Sequence, residues 1–130
     1  MRCRLMLDGR DMSGEYLLVE AMNIRSIGPN VELSPEADPG DGLLDVVAVA
    51  PADKSALRGH FRKRRSTRQS APQLPTYRGR ELRMEWTDFD VHFDDDTWPN
   101  GRPVGSRARS IDIKLEDQRV EFLVPRSAQR

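Results

Sequence analysis

Turn-forming residues interrupt this sequence so often that only short, alternating apolar stretches remain between them, and short strands have few ways to share a core. Residues 2–8 alternate Cys3, Leu5 and Leu7 with polar neighbours and run into Asp8-Gly9, a tight hairpin signal; Ser13 and Gly14 close that loop. Residues 15–25 read as one long strand, with Tyr16, Leu18 and Glu20 on one face and Leu17, Val19 and Ala21 on the other. Its apolar middle implies burial on both sides. Gly28 and Pro29 break the chain, a short strand is expected over 31–33, and 34–42 is rich in turn residues. Residues 43–50, rich in Val and Leu, read as a central strand. One helix is predicted, with Asp53 as N-cap after Pro51 and with Ala56, Leu57, His60 and Phe61 on one face. After a polar loop at 66–75, strands are expected over 78–86, where Leu82, Met84 and Trp86 alternate, and over 89–93, where Phe89, Val91 and Phe93 do. A loop over 97–107 then precedes strands at 110–115 and 119–124. Many short strands and one helix make a mainly β chain, an antiparallel sandwich or open barrel.

Size and composition close off other classes. The 130 residues suit one domain, and 37% hydrophobic with 32% charged residues is polar but not disordered. No apolar run approaches the roughly 20 residues of a membrane span, and residues 1–4 lack a signal-peptide core. The single cysteine, Cys3, excludes an internal disulfide and a cysteine-based zinc site. Basic and acidic residues cancel at 21 each, so net charge steers the chain to no partner; nucleic acid is not expected, and a cytoplasmic location is. The charges are unevenly spread. Residues 58–68 hold Arg58, Arg62, Lys63, Arg64, Arg65 and Arg68 with no acid, and residues 88–96 hold Asp88, Asp90, Asp94, Asp95 and Asp96 with no base. Such runs are ordinarily solvated faces or loops.

Two segments have the composition for chemistry. Asp38, Asp41 and Asp45 fall within eight residues among glycines. Turn geometry explains much of that pattern, but a hard cation such as Mg²⁺ uses the same carboxylates, exposed carbonyls and water. The spacing is not that of an EF-hand. Asp94, Asp95 and Asp96 are adjacent carboxylates that repel one another unless water, a cation or arginine relieves them. They read either as a solvated turn or as a general base or metal partner at a strand end. His92, alternating with Phe93, is expected on the surface. No Gly-x-Ser-x-Gly elbow and no Walker-type or dinucleotide loop occurs.

Taken in order, 14–23 ending in Asn23, then Ile27-Gly28-Pro29, then Leu33-Ser34-Pro35-Glu36-Ala37, then Asp41-Gly42-Leu43-Leu44-Asp45 resembles a known pattern. It is similar to the C-terminal β-sandwich domain of the diacylglycerol kinase-like lipid kinases. That family includes bacterial diacylglycerol and phospholipid kinases, sphingosine kinases and, distantly, the NAD kinases. The likeness runs over residues 5–125 and implies an antiparallel two-layer β-sandwich with one short helix. It implies the substrate-side domain of an ATP- and Mg²⁺-dependent kinase that phosphorylates a diacylglycerol-like or sphingoid hydroxyl. It places Mg²⁺ at Asp38, Asp41 and Leu43, the last through its carbonyl. The family's later strand ends in Asp-Gly-Glu, with the glutamate as base; here Asp96 stands in that place, one methylene shorter, where placement matters at the sub-ångström scale.

The family's nucleotide-binding domain, with its Gly-Gly-Asp-Gly motif, is expected to be absent from a single domain of 1–130. ATP would then come only with that domain as partner, and the chain would be inactive alone, because phosphoryl transfer is mostly positioning and charge neutralisation. A lipid substrate and peripheral contact at the inner membrane face are further expectations, with Arg62, Lys63, Arg64 and Arg65 on anionic headgroups. The alternatives are a non-catalytic lipid- or metal-binding module, or a self-associating fragment that dimerises through a surface the absent domain would cover.

Overall fold

The computed structural model describes residues 1–28, 31–63, 73–94, 96–98 and 108–116. Strand β1 (Arg2–Leu7) turns through Asp8 and Gly9 into β2 (Arg10–Asp11), pairing Leu7 with Arg10. Both turn residues have positive φ, 49° and 79°, as a two-residue hairpin of this hand requires. β3 (Gly14–Glu15) returns to pair with the start of β1. On the other side of β1 lies β7 (Glu81–Trp86), and β10 (Arg109–Lys114) lies outside β7, all antiparallel. A second sheet sets β5 (Leu44–Val49) between β4 (Leu18–Met22) and β6 (Thr76–Gly79). β8 (Val91–Phe93) and β9 (Asp96–Trp98) form a separate hairpin.

The period of two along the strands decides the packing. Cys3, Leu5 and Leu7 of β1 and Leu82, Met84 and Trp86 of β7 meet Leu44, Val46 and Ala48 of β5, forming the core between the two sheets. The alternate β5 residues Val47 and Val49 face the other way. There they pack with Met22, Leu33 and Leu74, under Ala56 and Leu57 of helix α1 (Lys54–Lys63). Every β5 residue is buried as a result. The chain is a mainly β, antiparallel β-sandwich with one short α-helix, and that helix covers the outer face of the second sheet. No helix among the described residues is long and apolar enough to cross a membrane.

Several expected boundaries move. Residues 15–25 are not one strand, because the chain changes sheets at Tyr16 and Leu17. The Tyr16 N–H donates to the Met1 carbonyl and the Leu17 N–H to the Val49 carbonyl. The expected strand 78–86 breaks at Arg80 in the same way: β6 belongs to the second sheet and β7 to the first. Residues 31–33 form only one bridge, Glu32 to Ser26. The helix opens with a 3₁₀ turn (Pro51–Asp53), which puts Asp53 inside it; Ala50 holds the cap position without a side-chain bond. Phe61 and Phe93 are both more exposed than the alternation predicts, at 43% and 41%. Thr97 and Trp98, expected in the 97–107 loop, join Asp96 in a strand, and the expected strand 119–124 lies outside the described residues.

Candidate functional site

The acidic turn is built by its own backbone. Asp38 Oδ1 accepts the Gly40 N–H at 2.8 Å, and the Asp41 N–H donates to the Asp38 carbonyl at 3.2 Å. Asp41 Oδ1 accepts the Leu43 N–H at 2.8 Å, and Gly42 supplies the positive φ of 73° that lets the chain re-enter β5. Asp41 Oδ2 is ion-paired with Arg78 of β6. Arg78 sits opposite Asp45 in the β5–β6 register and brings its Nε to 3.6 Å from Asp45 Oδ1. Asp45 is fully buried; Ser34 Oγ donates to its Oδ1 at 3.1 Å, while Oδ2 has no hydrogen-bond partner among the described residues. One guanidinium thus ties the acidic turn to the central strand. A pocket of about 500 Å³ opens beside Asp38, lined by Ile24, Arg25, Ser26, Ala37 and Pro39.

The donors of the turn are carboxylate and carbonyl oxygens, the kind a hard cation takes. Among the described residues no three His, Cys, Asp or Glu side chains converge to hold a metal, so the available set is two carboxylates, Asp38 and Asp41, with the Leu43 carbonyl. Mg²⁺ commonly takes one or two carboxylates and keeps several waters. Arg78 would share Asp41 with it.

Asp96 lies apart from this turn, at the first position of β9, where it pairs with Phe93 across the hairpin and is exposed. Asp94 takes the left-handed conformation, φ 49°, at the hairpin turn; Asp95 lies outside the described residues. The hairpin base is held by an aromatic cluster. Trp86 stacks on Phe89 at 5.6 Å and meets Trp98 edge-on at 5.9 Å, and the Arg109 guanidinium lies 5.5 Å from the Trp98 ring centre. Of the four expected headgroup residues, Arg62 is exposed on α1 and Lys63 ends it, while Arg64 and Arg65 lie outside the described residues.

Sequence reasoning missed three residues here. Arg78 looked like one more strand residue, and only the pairing of β5 with β6 brings it to the acids. Ser34 passed as a turn residue. Glu20 is a lone acid in an apolar strand, which was a usable signal. It is half-buried, and burial pushes its carboxyl above the ordinary glutamate value, an effect partly offset by His92. His92 is exposed as expected, with its Nδ1 3.4 Å from Thr97 Oγ1.

With that geometry in view, one family profile, described as the YegS C-terminal NAD kinase beta sandwich-like domain, matches residues 1–114. No curated protein and no solved structure matches the chain.

Proposed function

Since this chain belongs to the family of YegS C-terminal NAD kinase beta sandwich-like domains, we propose that it is the acceptor-side domain of a lipid kinase, working with a nucleotide-binding domain that supplies ATP. The observation that carries this reading is the acidic corner, Asp38 to Asp45, fixed by Arg78 to the central strand of a kinase-family sandwich. The acceptor is a diacylglycerol-like or sphingoid hydroxyl. In this reading Asp96, open to solvent at the head of β9, takes the proton as the hydroxyl oxygen bonds to the terminal phosphorus and the bond to the departing nucleoside diphosphate breaks. Asp38, Asp41 and the Leu43 carbonyl would hold Mg²⁺, which when bound supplies positive charge beside the acidic corner. The pocket beside Asp38 has apolar surface from Ile24, Ala37 and Pro39 and a guanidinium from Arg25.

Reconstitution tests the reading. The chain is mixed with a separately expressed nucleotide-binding domain of a lipid kinase, ATP and Mg²⁺, and phosphate transfer to diacylglycerol and to sphingosine is followed. Transfer is expected only in the mixture, and Asp96→Asn should lower it by about 10²- to 10⁴-fold, the ordinary weight of a positioned base. An unchanged rate in that variant removes Asp96 from the chemistry. No transfer to either lipid would reduce the chain to a binding module.

A further inference from the structure

Helix α1 carries a second, separate surface. Its sequence contains no acid, and Ala56 and Leu57 turn inward to the core beneath it. On the outward side Lys54, Arg58 and Arg62 recur every four residues and are all exposed, so their charges form one row in steps of about 6 Å. Among the described residues no ion pair joins any of the three to a carboxylate, whereas Arg4 and Arg109 have one each and Arg78 and Arg83 two each. Beside the row lies a shallow trough of about 500 Å³ floored by Ala52, Ser55 and Gly59. Phe61 stands three residues after Arg58 and seven after Lys54, which sets its ring along the same row; it is 43% exposed, with His60 edge-on at 5.7 Å.

We infer that this face of α1 docks on an anionic lipid bilayer, with Lys54, Arg58 and Arg62 on the headgroups and Phe61 at headgroup depth. A row of cations without ion-pair partners among the described residues, beside an exposed aromatic ring, complements a layer of anionic headgroups. The trough leaves room for headgroup oxygens between the basic side chains. A nucleic acid would use the cations but leaves the ring without a role, since one row of three charges provides no second wall of a strand-binding groove. The inference rests on the helix alone and holds whether or not the chain belongs to a working kinase. It also moves the contact from the 62–65 segment back to the start of α1.

Vesicle flotation with the full chain decides it. Binding is expected to vesicles of phosphatidylcholine mixed with phosphatidylglycerol but not to phosphatidylcholine alone, and it should weaken as salt rises from about 0.1 M to about 1 M. Replacing Lys54, Arg58 and Arg62 together by Gln should lower partitioning on the order of 100-fold. The double substitution Arg58→Lys with Arg62→Lys, which keeps the charge, should retain binding. Replacing Arg10, Arg80 and Arg83 by Gln removes equal charge elsewhere and should leave binding near the parent's. Equal binding to both vesicle types overturns the inference, as does parental binding by the α1 Gln variant or an equal loss in the Arg10 set. Binding to a DNA duplex without binding to the anionic vesicles overturns it as well.

Discussion

Asp45 and Glu20 show how differently a buried and a half-buried carboxylate can be treated in one sheet. Asp45 is enclosed completely but has Ser34 and Arg78 for company; Glu20 has the charge of His92 to offset part of its burial. Folded Glu20 therefore keeps its proton to higher pH than it does unfolded. Its contribution to stability is full below about pH 4.5 and is lost as pH rises through the raised folded value. Glu20→Gln should abolish that slope, so the variant gains on the parent as pH rises above about 4.5 in urea unfolding; a difference constant across pH would assign the slope to other groups. At the acidic turn the competition is between cations. If Mg²⁺ binds there, millimolar magnesium should raise the melting temperature by mass action; Asp41→Ala should cancel the rise and Arg78→Gln should enlarge it. No rise in either the parent or Arg78→Gln would leave Arg78 as the cation that Asp41 holds. The acids of this corner were plain in the sequence. Their arginine was not, because nothing local marks a residue that arrives from a different strand.

At the scale of elements, the joint between β6 and β7 is the tightest of the described glycine positions. A Cβ on Gly79 would lie 2.6 Å from Leu7 Cδ1 and 2.8 Å from Asp8 Oδ2. Leu7 is part of the buried core and cannot swing away, and the Asp8 carboxylate is already committed, accepting the N–H groups of Arg80 and Glu81 at 2.9 Å each. Gly79→Ala should therefore cost about 1–3 kcal/mol, as overpacking does, and lower the melting temperature by several degrees; a parental melting curve would mean the joint yields freely. Elements defined by local chemistry were legible: the Asp8-Gly9 hairpin, the apolar central strand, and the alternation of Leu82, Met84 and Trp86. The two sheet changes were less so. At Tyr16–Leu17 no glycine or proline marks the switch, and at Arg80 the traces are Gly79 and a phase slip, from inward Tyr77 to inward Leu82. The helix start shifted because Pro51 favours the first turn of a helix and so opens a 3₁₀ segment that takes in Asp53.

For the molecule as a whole, the family pattern and the sandwich agree because both depend on the order of turns more than on any one side chain. The acidic turn, the exposed β8–β9 hairpin and the basic row of α1 are carried on different parts of that sandwich, each on a rigid support: the central strand for the turn, an aromatic cluster for the hairpin, a buried apolar stripe for the helix. Sequence could name these segments but not relate them, since their supports come from strands far apart along the chain. The crossing at Arg80 has a mechanical corollary. This step is one of two, with Tyr16–Leu17, that join the sheets covalently, and Asp8 clasps it from the first sheet. Neither half can peel away while the other stays intact, so the slowest-exchanging amides of β5 and β7 should open in a single event, like a book that cannot lose one cover and keep its spine.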